Sequence, residues 1–440
     1  MEEKKKGVNV GVRSFVTAIV VIFILMVLTY GLTFLVPGAG IPFWKWALSP
    51  ILVLGAEDNA SLIGVLIFLL IIGGVFNCLD KCGLMMYMLE KITECFGRER
   101  YKLMAMVTLF FMAMGSFIGS FEECVPFVPI VIALAIRLGW DSLVGVGMSL
   151  LAIGCGFAAG ICNPFTVGVA QELAGLPMFS GMWFRALCFI LVYALLLWFL
   201  FRYAKKIEQP LAEDAMAAGL KSNEKMDKSL RAFAIIMCSG IALVLSSAFI
   251  TVLQDYTMII VAVTFLVAGL VASVLSARCG HVGITFFYGM RSIFPAVFMI
   301  LMANSIKYTL VEGKVLGAIL DGAVAIAKTL PGWAVILFIY LMVLGMNFFI
   351  SSGSAKAFLL IPLIVPVAKV FGISAQLCIV AYAFGDGFSN VIYPTNPVLL
   401  IALGVGGVDY GKWVKWSLPF QILNLVLTSG LLLIGYAIGY

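Results

Sequence analysis

The chain has 440 residues, of which 63% are hydrophobic and 11% are charged, and its mean hydropathy is +1.13. One globular core cannot hide so much apolar surface, so the composition excludes an ordinary soluble protein and predicts an all-α polytopic membrane protein. The formal net charge is +6, and the single histidine, His281, offers almost no material for a histidine-based metal site or proton relay.

Nine apolar segments are long enough to cross a bilayer, and two more are interrupted near their middle. The predicted spans are 15–36, 61–79, 141–176, 181–204, 231–252, 257–277, 285–305, 374–408 and 414–438, and the interrupted segments are 101–138 and 333–371. We expect each interrupted segment to be a re-entrant hairpin that enters and leaves on one side. The segments 84–97 and 308–329 precede the hairpins and are predicted either to lie flat at opposite interfaces or to be plain amphipathic connectors.

The distribution of basic residues predicts the orientation. With a cytoplasmic N-terminus, 21 of the 28 basic residues flank the inner ends of the spans, and only six, among them Arg185, flank the outer ends. This bias predicts a multi-pass protein of the cytoplasmic membrane with an extracytoplasmic C-terminus. Tryptophans near span ends are predicted to anchor at the headgroups: Trp44, Trp46, Trp183, Trp333, Trp413 and Trp416.

The two halves of the chain resemble each other at one ungapped offset of 233 residues. This shift superimposes Pro129 on Pro362, Gly139 on Gly372, Gly154 on Gly387 and Asn163-Pro164 on Asn396-Pro397. We therefore predict a first transmembrane repeat at 1–204, a cytoplasmic linker at 205–230 and a second repeat at 231–440. The extra span at 231–252 inverts the second repeat, which is the plan that secondary transporters use for alternating access.

Polar and charged residues interrupt both hairpins, where a buried charge costs about 2.5–3.5 kcal/mol and so needs a partner or water. The candidate substrate ligands are Ser120, Glu122 and Glu123 at the first tip and Ser352, Gly353, Ser354 and Lys356 at the second. Glycine permits a sharp reversal, and bared amides at a helix N-terminus bind carboxylates. The alternative is that one glutamate pairs with Lys356 merely to hold the halves together.

The span after each hairpin contains an Asn-Pro interruption that frees backbone carbonyls. Candidate substrate ligands here are Asn163, Thr166, Thr395 and Asn396, and the candidate ion-coupling residues are Asp386, Ser389 and Asn390. Their oxygens are hard ligands that suit sodium, so we expect coupling to sodium or to protons, with no other metal and no cofactor. Asn-Pro kinks that serve only packing are the alternative.

The sequence holds no nucleotide-binding loop, catalytic triad or metal-ligand cluster. An enzyme and a nucleic-acid-binding protein are therefore not expected. A channel or a non-transporting receptor on a carrier scaffold remains a second class, although hairpins entering from opposite sides are not needed for a continuous pore.

Five segments resemble the YfcC family of membrane carriers, within the ion transporter superfamily: SFEECVPFVP at 120–129, GFAAGICNPFTVGVAQELAGLP at 156–177, NFFISSGSAKAFLLIPLIVP at 347–366, FGDGFSNVIYPTN at 384–396 and YGKWVKW at 410–416. The resemblance implies an elevator-type transporter, commonly a homodimer, that carries C4-dicarboxylates or exchanges basic amino acids. The Ser-Asn-Thr signature of related sodium symporters is absent from the hairpin tips.

These features together predict a secondary active transporter of a small amino acid or carboxylate, with arginine/ornithine exchange preferred. Glu122 or Glu123 would hold the substrate's ammonium or guanidinium group, and Lys356 its carboxylate. The alternative is a sodium- or proton-coupled C4-dicarboxylate transporter. The expected partners are a small-molecule substrate, the lipid bilayer and a second copy of the chain.

Overall fold

The computed structural model describes residues 12–36, 38, 40–55, 60–88, 91, 99–117, 119, 121, 125, 127–177, 179–209, 223–247 and 257–440. All regular structure within these ranges is helical, which confirms the predicted all-α class there. Outside the hairpins and broken helices defined below, the longer helices are Val12–Leu32, Ala60–Lys81, Met182–Ile207, Glu224–Ser247, Thr257–Leu275, Val282–Glu312, Val315–Ala327 and Tyr410–Ala437. Short turns of helix connect the first two at Phe43–Ala47, Ser49–Leu52 and Val53–Gly55.

Each predicted span coincides with helix, although only some helices are long and apolar enough on their own. Within the described ranges, Met182–Ile207 and Tyr410–Ala437 have the length and hydropathy that a membrane crossing requires. The number of crossings therefore stays a prediction. The helix predicted at 285–305 extends to Glu312, and it takes up the start of the segment 308–329 that was expected to lie at an interface.

Five helices form one packed group, called here the five-helix bundle. Ala60–Lys81 packs against Val282–Glu312 and Thr257–Leu275, while Glu224–Ser247 packs against Thr257–Leu275 and Val12–Leu32 packs against Val282–Glu312. These helices are apolar over most of their length, so the bundle can be held by side-chain packing alone.

The interrupted segments form a second group, called here the hairpin unit. The first hairpin comprises Arg100–Phe117 and Val128–Arg137, and the second comprises Gly332–Asn347 and Gly353–Val370. The first broken helix comprises Ser142–Ala158 and 164–173, and the second comprises Ala375–Ser389 and Pro397–Val405.

The two hairpins end in the same turn. Gly139 follows the first hairpin with φ +85°, and Gly372 follows the second with φ +72°. Their amides donate to the carbonyls of Ile136 and Lys369, each over 3.1 Å. The left-handed conformation explains why both positions, 233 residues apart, are glycine.

The next helix begins with the same cap in both halves. Asp141 Oδ1 accepts a hydrogen bond from the Val144 amide, and Ser374 Oγ accepts one from the Leu377 amide. Both donors and both acceptors differ by 233 positions, so the side chain at each N-cap satisfies the corresponding orphan amide.

The two broken helices cross through a reciprocal contact. A Cβ atom at Gly154 would lie 2.3 Å from Val391 Cγ1, and one at Gly387 would lie 2.4 Å from the backbone of Ala158. Gly154 and Gly387 differ by 233 positions, as do Ala158 and Val391. The same close contact is thus made twice, once from each side of the crossing.

The second part of each broken helix packs against the opposite hairpin. Residues 164–173 contact Gly353–Val370, and Pro397–Val405 contacts Val128–Arg137. The two hairpins and both broken helices consequently form a single interlocked body.

Two residues assigned to span ends do not lie at a lipid surface. Trp413 is fully buried, and its Nε1 donates to the Val391 carbonyl over 2.7 Å, so its anchoring role at the headgroups is wrong. Arg185 lies in the first turn of Met182–Ile207 and is only 2% exposed. Both side chains bind carbonyls in or beside the broken helices, which outweighs their preference for the membrane surface.

We expect Gly387→Ala to lower the melting temperature of the purified protein, because overpacking a close backbone contact costs about 1–3 kcal/mol. Gly430→Ala is the matched control, since a Cβ there meets nothing within 4 Å and alanine favours a helix. Equal melting temperatures for the two variants would show that the crossing can move apart without cost.

Candidate functional site

The centre of the hairpin unit is a buried lysine with three oxygen partners. Lys356 Nζ lies 2.6 Å from Asp386 Oδ1 and donates to the Ile350 carbonyl over 2.9 Å and to Asn347 Oδ1. Lys356 and Asp386 are both 0% exposed. An ammonium group has three protons, so this arrangement uses every donor that Lys356 has.

Asn347 links the lysine to the second broken helix. Its Nδ2 donates to the Asp386 carbonyl over 3.0 Å, to Ser389 Oγ over 2.6 Å and to Asn390 Oδ1 over 2.9 Å. The amide therefore accepts from the ammonium at one end and donates to the broken helix at the other. Since Asn347 ends the first arm of the second hairpin, it holds that arm against the broken helix.

The two Asn-Pro interruptions are capped alike. Asn163 Oδ1 accepts from the Thr166 amide over 3.1 Å, and Asn396 Oδ1 accepts from the Leu399 amide over 3.4 Å, again 233 positions apart. Asn396 Nδ2 also donates to Asn390 Oδ1 over 3.0 Å, which joins it to the lysine network. Each asparagine thus restarts a helix after its break.

Gly353 lies where the second hairpin meets both broken helices. A Cβ at this position would be 2.6 Å from Asp386 Oδ2 and 2.5 Å from Thr166 Cγ2. Among the described residues, Asp386 Oδ2, Thr166 Oγ1 and the buried Thr395 Oγ1 have no hydrogen-bond partner. Buried oxygens without donors are costly, so this is where the site can take a ligand.

The first hairpin closes the first interruption through its backbone. Ser116 Oγ donates to the Ala159 carbonyl over 3.1 Å and accepts from the Ile161 amide over 2.9 Å. Arg185 Nε and Nη2 both donate to the Ile161 carbonyl, over 3.1 and 2.9 Å. The carbonyls freed by this break are therefore occupied by the protein itself.

Gly119 brings the tip of the first hairpin against the same break. Its φ is +76°, and a Cβ there would overlap the Asn163 side chain. The neighbouring candidates Ser120, Glu122 and Glu123 lie outside the described residues. Their role in binding stays a prediction.

At the second tip, Ser352 is exposed and precedes the helix Gly353–Val370 without capping it by its side chain. Ser354 belongs to the first turn of this helix. The structure thus brings together the second-tip candidates with Asp386, Ser389, Asn390 and Asn396, and it adds Thr166 from the other half.

Two central residues escaped the sequence prediction. Asn347 ends an otherwise apolar helix, and this isolated amide was the available signal. Arg185 was counted only as a charge near a span end. The predicted link between Lys356 and a substrate carboxylate is not made in this structure, because Asp386 and two neutral oxygens hold the ammonium.

Comparison with known proteins gives a consistent class. A sequence profile of the family described as "DcuC: C4-dicarboxylate anaerobic carrier" matches residues 46–437. The Escherichia coli K12 protein named "Putative basic amino acid antiporter YfcC" is 29% identical over 397 residues, covering 86% of this chain and 78% of its own. The resemblance to YfcC carriers is thereby confirmed.

Two solved structures are similar over most of their length. The Alcanivorax borkumensis YdaH transporter is 20% identical with a TM-score of 0.49, covering 97% of this chain and 99% of its own. Neisseria gonorrhoeae MtrF, whose structure is described as illuminating a class of antimetabolite efflux pumps, is 15% identical with a TM-score of 0.47, covering 95% and 94%.

We expect Lys356→Met and Asp386→Asn each to destabilise the protein strongly, because removing one partner of a buried ion pair costs about 3–5 kcal/mol. The double variant should lose less than either single variant, since it leaves no unpaired buried charge. A double-mutant cycle of melting temperatures measures this coupling. Additive losses would mean that the two charges do not depend on each other.

Proposed function

Since the chain belongs to the DcuC family of C4-dicarboxylate anaerobic carriers and is thus a membrane transporter rather than an enzyme, we propose that it exchanges basic amino acids such as arginine and ornithine across the cytoplasmic membrane. The single observation that carries this choice of substrate is the closed ion pair between Lys356 and Asp386. The remaining support comes from the polar groups around the second hairpin tip.

The ion pair changes the charge balance expected of the site. Lys356 and Asp386 neutralise each other, so the lysine is not available to balance the two carboxylates in the sequence of the first tip, Glu122 and Glu123. Carboxylates within a membrane need a positive partner. The guanidinium group of arginine or the side-chain ammonium of ornithine supplies that partner.

The substrate's carboxylate would bind at the second hairpin tip. The helix Gly353–Val370 begins there with no side-chain cap from Ser352, so its first amides and the positive end of its dipole remain available. This assignment moves the carboxylate from the Lys356 ammonium to the helix N-terminus beside it. Thr166 and Thr395, whose hydroxyls lack partners among the described residues, can add hydrogen bonds.

Alternating access would arise from two inverted repeats, with the hairpin unit moving past the five-helix bundle as an elevator. The turns, caps and glycine contacts that recur at a spacing of 233 residues support this mechanism. The cytoplasmic N-terminus, the extracytoplasmic C-terminus and the homodimer remain part of the proposal.

A C4-dicarboxylate is the second candidate substrate, and the family description favours it. Two substrate carboxylates facing Glu122 and Glu123 would repel them unless a proton or a sodium ion intervened. This candidate therefore requires cation coupling, whereas exchange of basic amino acids does not.

The test is uptake of labelled arginine, ornithine, succinate and fumarate into proteoliposomes loaded with unlabelled ornithine. We expect uptake of the two basic amino acids only. Uptake of the dicarboxylates alone would overturn the proposal and select the second candidate.

We further expect Glu122→Gln or Glu123→Gln to weaken arginine affinity by about 10- to 100-fold, since a charge-assisted hydrogen bond contributes about 1.5–3 kcal/mol. Glu312→Gln is the matched control, because Glu312 pairs with Lys45 at the surface, where both side chains are more than a third exposed. Unchanged affinity in both first-tip variants would contradict the assignment of the cationic group.

A further inference from the structure

The surroundings of the Lys356 ammonium have the chemistry of a small-cation site. We infer that Lys356 is a tethered coupling cation, held in a pocket that binds a free monovalent cation such as sodium once the lysine side chain is removed. The coupling role rests on the proposed function, whereas the cation site rests on the geometry alone.

Three kinds of oxygen surround the ammonium. They are the side-chain amide oxygen of Asn347, the backbone carbonyl of Ile350 at 2.9 Å and the carboxylate of Asp386 at 2.6 Å. Carboxylates, carbonyls and amide oxygens are also the ligands of hard metal cations. Lysine carries a compact point charge, so its ammonium can replace such a cation in this cage.

The backbone at this cage is built as transporter ion sites are built. Asn347 ends the helix Gly332–Asn347, and Ile350 lies in the non-helical turn that follows. The C-terminal end of a helix carries a partial negative charge. Unwound carbonyls and half-helix C-termini coordinate sodium or protons in secondary transporters.

An ion pair that served only packing would not leave further acceptors beside it. Here Asp386 Oδ2 and Thr166 Oγ1 have no hydrogen-bond partner within the described residues. Both side chains meet at Gly353, where a Cβ would lie 2.6 Å from Asp386 Oδ2. Oxygens beyond the three that hold the ammonium are therefore available to a free cation, which takes more ligands than a lysine has protons.

The tether has a functional consequence. Lys356 is part of the helix Gly353–Val370, so its charge cannot dissociate on either side of the membrane. A cation that never leaves cannot transmit a sodium gradient to the substrate. The wild-type carrier should therefore be driven by its counter-substrate, and its transport should not depend on sodium.

The test compares thermal unfolding of full-length wild-type protein and Lys356→Ala in matched chloride salts of sodium and N-methyl-D-glucamine, a cation too large for the pocket. Lys369→Ala, an exposed change in the last turn of the same helix, is the control. Lys356→Ala/Asp386→Asn removes both the tethered cation and its carboxylate. Methylammonium is added as a probe that restores the missing group.

We expect sodium and methylammonium to raise the melting temperature of Lys356→Ala by about 2 °C or more at about ten times their dissociation constants. Wild type, Lys369→Ala and the double variant should not respond. Lack of any cation-specific shift in folded Lys356→Ala would overturn the inference.

A second measurement decides the question even if Lys356→Ala does not fold. Uptake of whichever substrate wild type transports is measured with and without an inward sodium gradient. Equal rates support the tethered cation, and sodium-dependent rates overturn it. Failure of the proposed substrates would appear instead as absent arginine and ornithine uptake, which leaves the thermal result intact.

Discussion

The arrangement of the hairpin unit depends on the cost of burying one ammonium group. Lys356 has no exposed surface, and its charge is tolerated because Asp386, Asn347 and Ile350 each supply an oxygen. A buried pair of this kind stabilises a fold only when its remaining hydrogen bonds are also satisfied. That requirement draws the second hairpin onto the second broken helix.

The same requirement explains why polar residues cluster around the pair. Asn347 satisfies the ammonium and three acceptors on the broken helix, and Asn390 in turn binds both Asn347 and Asn396. In the first half, Ser116 and Arg185 satisfy the freed backbone instead. One half of the unit thus carries a side-chain network where the other carries backbone contacts.

Local features were accessible from the sequence because each has a local cause. Gly139 and Gly372 are needed for left-handed turns, and Asn163 and Asn396 are needed to restart helices after proline, so their spacing alone revealed the repeat. Pairing across space has no such signature. Lys356 could have faced Glu122, Glu123 or Asp386, and only the fold brings Asp386 to it.

The crossing of the second halves of the broken helices onto opposite hairpins bears on how the protein is made. Residues 164–173 pack on Gly353–Val370, which the ribosome synthesises much later. Until then the first interruption lacks part of its cover, although bared backbone is tolerated at membrane depth only where protein or a wet cavity surrounds it. The N-terminal half must therefore wait in the membrane, incompletely packed, and its final structure is set only after the C-terminal half has been inserted.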